Sequence, residues 1–225
     1  MEKLHLYLVR HCESLGNREN IFQGQLDLDI SATGEKQLAL LALRFRNIPI
    51  DAVYSSPLKR AYKTAEAVDL YHSLPIIKLP ELMEVDVGAL SGMKLDKAFA
   101  DYPVFAEKWQ NSPQNCIFPE GETTAEVYDR AKKALARVKA DCMGKTAVIT
   151  SHGFLLRCMA CEILDYFARP ELTVYNAIPT AATPRFRNFI SAKTVAWKRC
   201  ASAIIATCRR NCSATRISML STNNI

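Results

Sequence analysis

The chain has no apolar run long enough to cross a membrane. Its most apolar stretch, Phe154 to Phe167, is interrupted by Arg157 and Glu162, short of the ~20 unbroken residues that a bilayer span takes. The opening MEKLHLYLVRHC holds only a brief apolar run, broken by His5, Arg10 and His11; it reads as no signal peptide, and a cytoplasmic location is expected. Glycine is scarce and stops at Gly153, while acidic residues stop at Glu171. Metal-site spacing is also missing: eight cysteines are present, but Cys158 and Cys161 have no second pair to complete a zinc site. With no export signal, all eight read as reduced thiols.

What is present fits a globular core. With 225 residues, 49% hydrophobic and 23% charged, the chain can bury a large interior, and disorder and coiled coil are excluded. The net charge of +6 is uneven. Residues 1–167 carry 20 basic and 22 acidic side chains, residues 168–225 carry 9 and 1. The basic excess therefore belongs to the tail and is no argument for a nucleic-acid partner. A core over 1–167 and an atypical basic tail over 168–225 are expected.

Short apolar runs at Leu4 to Val9, Asp51 to Ser55, Pro75 to Leu79 and Thr146 to Thr150 read as strands. Helical patterns lie between them: Thr33 to Arg46 behind Ser31, Leu58 to Tyr71 behind Pro57, Thr124 to Asp141 behind Thr123, and Phe154 to Phe167. This alternation predicts an α/β fold, a three-layer sandwich whose mostly parallel central sheet has helices on both faces.

In such sheets ligands gather beyond the carboxyl ends of the strands. The first strand ends in Arg10-His11 and the fourth in Ser151-His152-Gly153; the second leads through Ser55-Ser56-Pro57 to a helix bearing Lys59 and Arg60. If these ends are neighbours, two imidazoles and two guanidiniums share one small volume with no carboxylate beside them. Such a site suits a phosphate dianion, because guanidinium presents a planar fork of donors to phosphate oxygens. Cationic neighbours also keep an imidazole neutral, and a neutral imidazole is a nucleophile at phosphorus. A helix beginning near Gly153 would aim its N–H groups at the same anion. His11 then accepts the phosphoryl group and His152 stabilises charge on its equatorial oxygens. An alkoxide leaving group needs a proton, for which Glu81, Glu84 and Asp86 are candidates that spacing does not separate.

The segments LVRHCESLGN, FQG, SSPLKRAYKTAE, LMEVDVGALSG, PEGET and TSHG, in this order over about residues 3–167, resemble the histidine phosphatase superfamily, the phosphoglycerate mutase-like proteins. The resemblance implies that fold and a metal-independent phosphatase, with no cofactor, that hydrolyses small phosphomonoesters through a phosphohistidine on His11. It implies Arg10, Arg60 and His152 around the phosphate, Asn17 as a further phosphate contact, and Glu84 as proton donor and then base for water. Gln23, Gly24, Glu122 and the backbone of Gly153 would lie at the substrate mouth. The partner is a small phosphorylated metabolite, with no nucleic acid and no membrane; a homodimer is compatible with it. Arg210 to Ile217 resembles the family's final strand, placing that strand at about 210–219 behind an insertion over 168–208.

Three rival readings accompany this one. Cys12 stands where the family usually has Gly, and His11-Cys12 with Arg18 fits the His-Cys-x5-Arg signature of cysteine-dependent phosphatases. That signature expects Ser or Thr where Glu19 stands and leaves SSPLKRA, LMEVDVG and TSHG without a job. A phosphoglycerate mutase would return the phosphoryl group to substrate, but its segment between the donor Glu and the second His is usually longer than the 68 residues from Glu84 to His152. A non-catalytic phospho-ligand-binding module would not need both histidines, both arginines and Glu84.

Overall fold

A computed structural model describes residues 4–163, 204–207 and 215–220. The four expected strands form with ends moved by one residue at most: β1 Leu4–Arg10, β2 Ala52–Ser55, β3 Ile76–Lys78 and β4 Thr146–Ser151. The helices are α1 Leu15–Arg18, α2 Ala32–Phe45, α3 Lys59–Asp69, α4 Leu95–Asp101, α5 Pro103–Asn111, α6 Thr124–Cys142 and α7 Gly153–Ile163. Of these, α1, α4 and α5 were not anticipated, being too short for an apolar period to show. The expected end of the last helix at Phe167 lies outside the described residues.

Local chemistry starts the two long helices. Ser31 accepts the Gly34 N–H at the head of α2, and Thr123 with Glu126 makes a reciprocal capping box on α6. Along α6, Val127, Ala131, Ala134, Val138 and Cys142 are buried at three- and four-residue spacing.

The strand alternation divides the core into two layers. Leu4, Leu6, Leu8, Tyr54, Ala147 and Ile149 pack with α6 and α7 on one face. Val9, Val53 and Val148 pack with Leu41, Phe45, Ala65 and Val68 of α2 and α3 on the other. Each fully buried aliphatic side chain contributes about 1.5–3 kcal/mol over exposure. A few lost from either layer would offset a typical net stability of about 5–15 kcal/mol.

The sheet order is β3-β2-β4-β1-β6-β5, where β5 is Ile204–Thr207 and β6 is Thr215–Leu220. Five strands are parallel; β5 runs antiparallel to β6. The expected mostly parallel sheet with helices on both faces is what forms. Residues 168–203, 208–214 and 221–225 lie outside the described residues, so the division of the tail into insertion and final strand remains an expectation.

Candidate active site

The register of the two central strands sets the site. Arg10 pairs with Ser151 at the carboxyl ends of β1 and β4, and the His11 N–H donates to the Ser151 carbonyl at 2.9 Å. The next residue on each strand is a histidine, which brings the two buried imidazoles side by side with ring centroids 5.1 Å apart. His11 Nδ1 lies 2.7 Å from the Cys12 carbonyl oxygen, which can only accept. In the neutral ring Nδ1 thus carries the proton and Nε2 the lone pair. In His152 the opposite nitrogen is tied: Nε2 is 2.8 Å from Ser56 Oγ. Its Nδ1 is buried with no hydrogen-bond partner among the described residues.

Arg60, in the first turn of α3, is among the largest fully buried side chains of the described residues. Its Nη1 and Nη2 donate to the carbonyls of Leu26 and Gly24 at 2.7 and 2.8 Å. The same loop is stapled to α3 by Asp27, which accepts the Lys59 N–H at 2.7 Å, and by Asp29, which pairs with Lys63 at 2.7 Å. Arg10 runs past the start of α7, where a Cβ added to Gly153 would meet its Nε at 3.5 Å. The Nε atoms of Arg10 and Arg60 are buried with no hydrogen-bond partner among the described residues. His152 Nδ1 joins them as a third donor when Ser56 donates to Nε2, and a buried donor left unmatched costs about 1–3 kcal/mol. A phosphate group offers the acceptors.

Electrostatics agrees. Burial first, then Arg60 and Arg10, holds His11 well below the usual histidine range. Burial, then Arg60, His11 and Arg10, does the same to His152. Both imidazoles are neutral at neutral pH. Burial lowers Arg60 to about 10, against the pull of Glu84 and Asp27, so it stays a cation there. Burial also lowers Arg10, partly offset by Glu84.

Glu84 corrects two expectations. A carboxylate does adjoin the cationic site, because the loop after β3 folds back over the strand ends and Glu84 acts on both arginines. The helix start at Gly153 also does not keep its amides for an anion from outside. The N–H groups of Phe154 and Leu155 reach the Glu84 carboxylate at 3.3 and 3.2 Å, where a negative charge suits the helix dipole.

Arg10, His11, Asn17, Gln23, Gly24, Arg60, Glu84 and Gly153 all line one cavity of about 200 Å³. That is below the ~300 Å³ at which drug-sized ligand pockets begin, and suits a small phosphomonoester. Asn17 also caps its own turn, its Oδ1 accepting the Ser14 N–H at 3.1 Å. Gln23 is buried and receives Ser14 Oγ at 2.7 Å. Neither His152, fully buried beside His11, nor Glu122 is on the cavity wall. The Glu122 carboxylate pairs with Arg130 at 2.7 Å and accepts the Asp86 N–H at 2.8 Å. The two loops touch there because Gly88 and Gly121 lack side chains; a Cβ on either would strike the backbone of the opposite loop.

Sequence reasoning did not single out Arg157, Trp109 or Arg130, and gave Ser56 no role beyond its place at a strand end. Arg157 is buried and lines the cavity; its signal was a lone cation in FLLRCMAC, four residues after Gly153 and so on the same helix face. Trp109, Phe118 and Phe154 form the aromatic wall, with centroids 5.5–5.8 Å apart. Cys12 lines no part of the cavity. It packs with Val9, Leu41 and Phe45 in the α2/α3 layer, and its N–H donates to Thr64 Oγ1 at 3.1 Å.

Comparison with known proteins agrees with this geometry. The sequence model of the histidine phosphatase superfamily (branch 1) matches residues 6–177. Phosphoserine phosphatase 1 of Hydrogenobacter thermophilus is 39% identical over 159 residues, 71% of this chain and 75% of that protein. A probable phosphoglycerate mutase of Escherichia fergusonii is 32% identical over 168 residues, 75% of this chain and 78% of that protein. Among solved structures, YhfR of Bacillus stearothermophilus aligns with a TM-score of 0.68 at 28% identity, covering 71% of this chain and 79% of that one. Matched over most of its length, and with both histidines and both arginines gathered at the ends of its strands, the chain belongs to the histidine phosphatase superfamily.

Proposed function

We propose that the protein is a phosphatase of small phosphomonoesters that works through a phosphohistidine on His11. The observation that carries this reading is the bond from His11 Nδ1 to the Cys12 carbonyl at 2.7 Å, which leaves the lone pair on Nε2 inside a cage of guanidinium groups. Nε2 attacks phosphorus and the bond to the leaving oxygen breaks. Glu84 gives that oxygen a proton, and the departing alcohol is neutral. Arg10, Arg60 and His152 Nδ1–H hold the equatorial oxygens as their charge develops, with Asn17, Gln23, Gly24 and Gly153 around the ester. The Glu84 carboxylate then takes a proton from water; the water oxygen attacks phosphorus, the P–N bond breaks, and phosphate leaves a neutral imidazole.

Guanidinium groups supply the positive charge, so the reaction is metal-independent. A cytoplasmic location is supported by Cys12, Cys116, Cys142, Cys158 and Cys161, which are buried thiols. The relative named a phosphoserine phosphatase supports a small phosphorylated metabolite as substrate, and the relative named a probable mutase makes the fate of the phosphoryl group the point to measure. A panel of phosphomonoesters that includes phosphoserine and 3-phosphoglycerate, assayed with chelator present, tests both. Net phosphate release is expected. Isomerisation of phosphoglycerate without phosphate release, or activity that chelator abolishes, overturns the reading.

A further inference from the structure

In the proposed phosphohistidine cycle, on which this inference rests, Glu84 moves the proton at both ends. Yet Glu84 lies on a loop, between the single turns Pro80–Leu82 and Gly88–Leu90, and general acids are effective only within hydrogen-bond reach of the oxygen they protonate. One side chain of α6 grips that loop. Arg130 Nε and Nη2 take the two carboxylate oxygens of Glu122 at 2.7 and 2.8 Å. Its remaining N–H groups go to the carbonyls of Glu81 at 2.9 Å, Met83 at 3.0 Å and Glu84 at 3.3 Å. All five guanidinium hydrogens thereby have acceptors. Glu122 completes the grip from the other side through the Asp86 N–H, so the backbone is held both before and after Glu84. Ser151 Oγ, next to His152, adds a third hold on the Leu82 carbonyl at 2.7 Å.

We infer that Arg130, backed by Glu122, is a positioning residue that aims the Glu84 carboxyl at the leaving-group oxygen. Lysine cannot replace it, since an ammonium has neither the fork nor the five donors. Glu122 serves the same purpose from outside the cavity.

The leaving group supplies the test. An aryl phosphate such as p-nitrophenyl phosphate departs as a stabilised phenoxide and needs little protonation; an alkyl ester departs as an alkoxide and needs the full proton. Rapid-quench measurement of His11 phosphorylation compares wild type, Arg130→Gln and Glu122→Gln on p-nitrophenyl phosphate and on phosphoserine, or on another alkyl ester that the wild type turns over. In Arg130→Gln, transfer from the alkyl ester is expected to slow about 100-fold, and transfer from the aryl ester less than about 5-fold. Glu122→Gln, which keeps an acceptor for the Asp86 N–H, shows the same selectivity at about 10-fold. Equal losses on both esters, or no loss, overturn the inference, and if Arg130→Gln does not fold, Glu122→Gln decides alone. A wild-type enzyme that forms no phosphoenzyme on His11 from either ester overturns the parent reading instead.

Discussion

His11 at the end of β1 and His152 at the end of β4 share almost everything that surrounds them. Both are buried, both are kept neutral by burial and the same two guanidiniums, and their rings are neighbours. They differ in which nitrogen the protein holds. The partner of His11 is the backbone carbonyl of the next residue, which can only accept and which no substitution removes. The partner of His152 is a hydroxyl on the turn between β2 and α3, which can donate or accept. Burial and field keep both rings neutral; the carbonyl fixes the His11 lone pair on Nε2, whereas His152 presents Nδ1–H when Ser56 donates to its Nε2. The two roles therefore rest on different kinds of support, one on the main chain and one on a single side chain.

The largest expected effect tests the roles directly. His11→Ala should lower kcat by at least about 10⁴-fold and abolish acid-labile phosphate on the protein, since the covalent route is gone. His152→Ala should cost about 10²–10³-fold, the scale of a lost transition-state donor, while phosphate is still captured on His11. If the two losses came out reversed, with phosphate captured on His152, the assignment of nucleophile and donor would be wrong.

This comparison was legible in the sequence only in part. Arg10-His11 and Ser151-His152 could be placed at strand ends because apolar runs with a period of two stop just before them, and parallel sheets gather ligands there. Those features are local. Ser56 is 96 residues from the imidazole it touches, and Arg130 is 46 to 49 residues from the carbonyls it holds; no periodicity spans such distances. Glu122 shows the same limit from the other side. Its motif was visible, and family resemblance put it at the substrate mouth, whereas its carboxylate faces Arg130. Glu84 could not be separated from Glu81 and Asp86 by spacing, because what singles it out is the start of α7, 70 residues away.

Ser56→Ala sharpens the contrast at a smaller scale. With Ser56 as the donor to Nε2, its loss frees the His152 proton to leave Nδ1, and kcat should fall about tenfold, the usual cost of losing an orienting partner. Nitrogen NMR should show a mixture of tautomers at His152 and no change at His11. A change at both rings would mean that the two supports are not independent.

Protonation affects both rings alike and is read in stability. The folded pKa of each imidazole lies well below the unfolded value of about 6.5. Between those two values the unfolded chain binds more protons, so the contribution is fully present above pH ~6.5 and is lost as pH falls, by up to about 1.4 kcal/mol per unit for each ring. The melting temperature should be flat in this contribution from pH 8 to 7 and decline below. Replacing His152 by Gln should reduce the acid slope by about half; an unchanged slope would show that this imidazole is not held neutral in the folded protein.

The smallest expected effect falls on Cys12, and it bears on the His11 half of the comparison. Cys12→Ala removes the thiol but keeps the carbonyl that fixes the His11 tautomer. The sulfur packs in the α2/α3 layer beside Val9, Leu41 and Phe45, so its loss should lower stability by about 1 kcal/mol and leave kcat and the phosphoenzyme close to wild type. Melting temperature and single-turnover kinetics on the same preparation separate the two quantities. Were kcat to collapse while the melting temperature held, the attacking atom would be the sulfur. The main-chain bond at His11 would then be an ordinary contact, and the difference between the two strand ends would lose its chemical meaning.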